Sequence, residues 1–221
     1  MPLDLEQATL AVGALGTAAL ALVDTTKVFG GGISRAGFRY IKDVASRLVL
    51  LATPTGPAGL HGDDIVATLR ANWMNGVSMA DQKAAAKALI KLHFTPSTAA
   101  QLARETNVDP AILASVASKL SSATPLTLEE SDVYGRFDLA IAAMVDYGYQ
   151  RGDQFYRNSC KALAAVIAVV LAIAGDQQLK APLPIWQAVL IGIVATPLAP
   201  IAKDVSSAIA AAARALSSVR R

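Results

Sequence analysis

Between Ala162 and Ala174 the chain runs ALAAVIAVVLAIA without one polar side chain, and a second apolar run opens at Ile185 after the connection GDQQLKAPLP. Such a pair is either the core of a water-soluble fold or a hairpin in lipid. A third apolar stretch, ATLAVGALGTAALALV, spans Ala8 to Val23. A bilayer crossing needs about 20 apolar residues, and each run is close to that limit or short of it. The seven Leu, Ile and Val residues from Leu163 to Ile173 favour insertion by roughly 2 to 4 kcal/mol, with Ala near neutral. The run from Ile185 to Ala202 is long enough but holds Gln187, Pro197 and Pro200.

Charge placement favours lipid. Lys27, Arg35, Arg39, Lys42 and Arg47 follow the first run, offset by Asp24 and Asp43. Arg151, Arg157 and Lys161 precede the second, and Lys203, Arg214, Arg220 and Arg221 follow the third. If each run crosses once, all these cations fall on one side, as the positive-inside rule requires of cytosolic segments. The N-terminus is then outside, with the central region and C-terminus in the cytosol. Asp4 and Glu6, with no early Lys or Arg, are wrong for a signal peptide, so this segment is expected to be retained. Tyr147, Tyr149, Phe155 and Tyr156 before the second run, and Trp186 opening the third, suit the headgroup level.

Composition agrees. Hydrophobic residues make up 53% and charged residues 17%, the latter below the roughly one quarter of soluble domains. Aromatic residues are too few for a nucleic-acid stacking platform. Cys160 is the only cysteine, which excludes an intrachain disulfide and Cys/His zinc patterns.

No stretch alternates with period two, so the expected class is all-α: an integral membrane helical bundle of about three spans with a small cytosolic helical domain. The expected organisation is an N-terminal span (1–29), an interfacial basic amphipathic segment (30–55) and a cytosolic helical domain (56–125). An amphipathic helix leading to the membrane (126–160), a transmembrane hairpin (161–203) and a basic amphipathic tail (204–221) complete it. In the interfacial segment Phe38, Tyr40, Ile41 and Val44 turn inward, while Lys27, Arg35, Arg39, Lys42, Arg47, Arg157, Lys161 and Lys203 form the basic set at the membrane surface. Helix starts are expected at Asp63 and Asp64, at Ser78, and at Asp109 with Pro110.

KVFGGGISRAG has glycines but no Lys-Ser/Thr ending and no preceding strand, so Gly30, Gly31 and Gly32 read as a helix break. Pro197 and Pro200 read as a kink or end of the third span. STAAQLARETNVDPAILASVASKL resembles a helix-turn-helix, with Leu102, Ala103, Val108, Ile112 and Leu120 at packing positions. Its second helix offers only Ser115, Ser118 and Lys119 for base readout. His61 and His93 are isolated, and the acidic Glu129, Glu130, Asp132 and Asp138 read as a helix-start preference and a solvated face. No catalytic, metal or cofactor set is expected.

Small residues recur every fourth position at Gly13, Thr17 and Ala21, at Ala164, Ala168 and Ala172, and at Ala188, Gly192 and Thr196. Such stripes let helices approach closely in lipid and favour a homo-oligomer. Asp24 with Lys203, or Lys27 with Asp204, is expected to close the bundle at the cytosolic rim.

The stretches GRFDLAIAAMVDYGYQRGDQFYR, the apolar run with AGD after it, and ATPLAPIAKDV resemble a group of bacterial membrane proteins of unassigned function. The resemblance covers about a third of the chain. It implies a bacterial cytoplasmic (inner) membrane and carries over no activity or functional residue. The expected function is a non-enzymatic, self-associating scaffold or docking platform on anionic lipid, with a possible protein partner on the cytosolic helices. The alternatives are a pore-forming or toxin-like effector with an insertable hairpin and a membrane-tethered helix-turn-helix nucleic-acid binder.

Overall fold

Helix starts and stops in the central region follow local chemistry. In the computed structural model the described residues are 5–26, 32–49, 61–178 and 183–200, with side chains described from residue 9. Among them the chain is helical, with no strand: α1 (Leu5–Thr25), α2 (Ser34–Leu48), α3 (Gly62–Met74), α4 (Met79–Leu92), α5 (Ala99–Thr106), α6 (Pro110–Ser121), α7 (Leu128–Asp176) and α8 (Ile185–Pro200). Ser78 caps α4 by accepting the Asp81 N–H at 3.2 Å. Asp109 caps α6 by accepting from Ala111 and Ile112 at 2.8 and 2.9 Å, and Pro110 at the first position forfeits no helical bond. α5 ends at Asn107, whose φ of 56° is left-handed, a common helix stop.

One start differs from expectation. The residue that caps α3 is His61, and Asp64 reaches back from the third position to accept the His61 N–H at 3.0 Å. Asp63 and Asp64 therefore sit inside the first turn, where the helix dipole favours them. α7 opens with a reciprocal capping box: the Thr127 hydroxyl accepts the Glu130 N–H, and the Glu130 carboxylate accepts the Thr127 N–H at 2.7 Å. That box satisfies two otherwise orphaned backbone donors and starts a helix of 49 residues, about 74 Å long.

The chain divides into two units, residues 34–156 on one hand and residues 1–33 with 157–221 on the other. In the first, the core stripe of α7 is Phe137, Ile141, Val145 and Tyr149, all buried at four-residue spacing. Around it pack Phe38, Ile41 and Leu48 of α2, Ile65 and Leu69 of α3, Ile90 of α4, Leu102 of α5 and Leu113 of α6. Each such side chain contributes about 1.5 to 3 kcal/mol. Phe94 lies 4.9 Å from the Phe137 ring, and Trp73 lies 6.3 Å from Tyr149 while its indole N–H donates to the Ser34 carbonyl at 2.9 Å.

α2 corrects the expectation of an apolar face turned to lipid. Phe38, Ile41 and Val44 are buried in this protein core, because the face that suits an interface also suits a bundle. Tyr149 is likewise a core residue, 1% exposed, and burial pushes its phenol up to about 12.

In the second unit, Ala19 and Val23 of α1, Ala164 and Ala168 of α7 and Ala195 of α8 form a shared small-residue core. The Asp176 carboxylate accepts the Leu183 N–H at 2.9 Å, which ties the end of α7 to the approach to α8.

Candidate functional site

α7 is the one described helix long and apolar enough to cross a membrane; α1 and α8 contain shorter apolar helices, Thr9–Thr25 and Ile185–Pro200. Gly13, Ala164, Ala168, Ala188 and Gly192 are buried, and Ala172 and Thr196 are partly so. Gly192 lies against the Val169 backbone, and Gly16 against the Ala195 carbonyl, closer than any Cβ allows. α8 thus touches α7 through one glycine and α1 through another. Thr17 and Ala21 face outward with Ala14 and Ala18, since the packed face of α1 is Gly13, Gly16, Ala19 and Val23. The outward faces carry Leu22, Val166, Val170, Leu190, Ile193 and Val194, with Val166 60% exposed.

Among the expected breaks, Gly32 has a φ of 46° and no room for a Cβ beside the Thr26 carbonyl. Pro197 lies within α8, and Pro200 is that helix's last described residue. Gly30 and Gly31 lie outside the described residues. So do Lys27, Lys203 and Asp204, and with them both rim pairs; Asp24 stands exposed near the end of α1.

The basic residues of α2, Arg35, Arg39, Lys42 and Arg47, are exposed opposite its buried face, and Arg47 pairs with Asp43 at 3.4 Å. Arg157 and Lys161 are exposed on α7. Arg39 belongs to a ladder that the sequence reading did not assemble. Tyr147, Arg151 and Phe155 recur every fourth residue on α7 and so share a face. The Arg151 guanidinium lies 5.8 Å from the Tyr147 ring and 5.7 Å from the Tyr40 ring. That of Arg39 lies 4.8 Å from Tyr40 and 4.3 Å from Phe155. Tyr40 and Phe155 also meet each other, with ring centroids 5.7 Å apart, so Arg39 lies beside this ring pair and Arg151 is shared by Tyr40 and Tyr147. Each cation–ring contact contributes about 0.5 to 1 kcal/mol when exposed.

The acidic group near the start of α7 does not converge. Glu130, 7% exposed, accepts from Lys119 and Ser115, both at 2.7 Å. The Lys119 ammonium, then the Thr127 N–H and the Ser115 hydroxyl, hold its carboxyl down to about 2. Asp132 pairs with Arg136 at 2.9 Å. Asp138 bridges Lys87, at 2.6 Å, and Lys91. Burial pushes the Asp138 carboxyl up, but these two lysines outweigh it and leave it below the usual carboxylate range. Lys91 is raised, chiefly by its bond to Asp138. Lys83 pairs with Asp146. These are α4–α7 and α6–α7 struts rather than an acid–base pair, and among the described residues no three His, Cys, Asp or Glu side chains gather to hold a metal.

α5 and α6 pack as a helical hairpin. Leu102 and Ala103 are buried and Val108 and Ile112 partly so, but Leu120 is 47% exposed. Leu113, Val116 and Ala117 take the packing positions instead, a different face of α6 from the one expected. Ser115 and Lys119, two of the three side chains expected to be available for base readout, are engaged by Glu130.

The chain is therefore an all-helical protein, over its described residues, with one apolar helix of membrane length and a larger helical bundle. Compared with family models, curated proteins and solved structures, it matches none.

Proposed function

We propose that this chain is a non-enzymatic integral membrane protein that self-associates and offers its helical bundle, residues 34–156, to the cytosol as a docking platform. In this reading α1, the apolar part of α7 and α8 each cross the bilayer, with the N-terminus outside. The observation that carries it is the division of faces in the second unit. Small residues are spent on helix–helix contact, while Val166, Val170, Leu190, Ile193 and Val194 point outward. In water those branched side chains would form an unprotected apolar surface; in lipid they need no partner, and close small-residue packing is the available driving force.

Self-association draws on the exposed small residues of α1, Ala14, Thr17, Ala18 and Ala21, which lie apart from the described contacts of α1 through Gly16, Ala19 and Val23. The α4–α7 ion pairs and the Glu130 node fit a rigid platform, with Glu130, Asp138 and Asp146 each accepting from lysine. Single-molecule photobleaching of the labelled chain in native-membrane nanodiscs tests the assembly. Multiple bleaching steps that collapse to one on Ala18→Ile are expected, and a single step for the unaltered chain refutes self-association. Reporter fusions at the N-terminus and after Thr124 test topology. Opposite compartments are expected, and the same compartment for both contradicts the reading.

A further inference from the structure

We propose that the ladder Tyr147–Arg151–Tyr40–Arg39–Phe155 binds the phosphate of an anionic phospholipid headgroup, with Arg39 and Arg151 as the donors. The inference rests on the membrane reading above and adds a specific site to it. Neither arginine meets a carboxylate among the described residues, in contrast to Lys83, Lys87, Lys91 and Lys119, each neutralised by a partner. Both guanidiniums lie against aromatic rings instead. Contact with a ring uses none of the five guanidinium N–H donors. Arg39 spends one of them on the Tyr40 hydroxyl at 2.9 Å. A planar fork already restrained by ring contacts loses less side-chain freedom on meeting a tetrahedral oxyanion than a free one, and it matches phosphate oxygens two at a time.

Two observations favour lipid over nucleic acid as the source of the phosphate. Two of the rings that would stack on bases, Tyr40 and Phe155, already pack against each other and against Arg39. In the sequence Phe155 also comes seven residues before the apolar run that opens at Ala162, and rings with a polar edge favour the headgroup level just outside such a run. Arg151 was read from sequence only as one more positive charge. The fold sets its guanidinium beside two tyrosine rings, one four residues earlier on α7 and one on α2.

The test is native mass spectrometry of the detergent-purified full chain, titrated with phosphatidylglycerol and with phosphatidylcholine. Phosphatidylglycerol is expected to bind more tightly. Arg39→Gln with Arg151→Gln should weaken it roughly tenfold, about the loss of one charge-assisted pair, and leave phosphatidylcholine unchanged. Arg70→Gln with Arg104→Gln, which removes the same net charge elsewhere on the bundle, should leave both unchanged. Arg39→Lys with Arg151→Lys keeps the charge, loses the fork and should also weaken binding; it carries the test if the Gln pair does not fold. Equal weakening by the Arg70/Arg104 pair, or full affinity in the Lys pair, would overturn the site in favour of bulk charge. Displacement by inorganic phosphate or a single-stranded oligonucleotide at lower concentration than phosphatidylglycerol would overturn lipid as the source. A chain that stays in the membrane fraction yet binds equally well without the two arginines defeats this site alone. One that never enters the membrane fraction defeats the reading beneath it.

Discussion

Gly37 of α2 lies against the backbone of Gly152 of α7 so closely that a Cβ on Gly37 would stand 2.6 Å from the Gly152 carbonyl oxygen, and one on Gly152 2.9 Å from that of Gly37. Gly148, one turn earlier, faces Val44 and the Tyr40 carbonyl. The pair Gly148 and Gly152 is a small-residue motif of the kind used in lipid, here joining two helices of the bundle. Gly37→Ala or Gly152→Ala forces backbone apart and should cost about 1 to 3 kcal/mol, read as a lower midpoint of denaturation by circular dichroism in detergent. Gly135, also in α7, has nothing within 4 Å of its would-be Cβ. Gly135→Ala should be neutral or raise stability by up to about 1 kcal/mol through helix propensity.

Glu130 makes the bundle sensitive to acid. Its carboxyl is held down from its ordinary 4.5 to about 2 by Lys119, the Thr127 N–H and Ser115. The folded state therefore binds this proton more weakly than the unfolded chain does. Its stabilisation is fully present above about pH 4.5 and drains away as pH falls toward 2. Glu130→Gln should lower the melting temperature at pH 7 and flatten its decline between those limits. A parallel acid limb in variant and wild type would mean that Glu130 is not the responsible group.

Asp138 serves two lysines from one carboxylate. Asp138→Asn leaves Lys87 and Lys91 facing each other without an anion, and should cost about 1 kcal/mol at low salt and less at high salt. Asp146→Asn, at the half-exposed end of the same strut, should cost less than about 0.5 kcal/mol. Denaturant midpoints at two ionic strengths separate the two.

Gly192 and Gly16 set how closely α8 approaches its neighbours. Gly192→Leu must drive α8 off the Val169 backbone, and a loss of about 1 to 3 kcal/mol is expected. Its readout is thermal stability in detergent together with loss of a disulfide crosslink engineered between α7 and α8. Ile193→Leu, on the outward face, should leave both unchanged.

The helical class, the starts at Ser78 and Asp109 and the long α7 were legible because capping chemistry and the 3.6-residue period are local signals. The Thr127–Glu130 capping box was equally legible in TLEE and went unread. The destination of the α2 apolar face was not: Phe38, Ile41 and Val44 make the same pattern for a headgroup interface as for a bundle core, and only the partner helices decide. Which stripe of α1 packs within the chain was illegible for a related reason. In an Ala-rich helix several four-residue stripes coexist, and Gly16 rather than Thr17 marks the contact because Ala195 comes so near. The Arg–aromatic ladder needs Tyr40 and Arg151 side by side, residues more than a hundred positions apart in the chain.

Alkaline carbonate extraction of membranes from cells producing the full chain puts the central claim to the most direct trial, because it strips peripheral proteins and leaves bilayer-spanning helices behind. The account predicts that the chain stays in the membrane pellet and is released only by detergent. Recovery in the carbonate supernatant as a detergent-free monomer would contradict it.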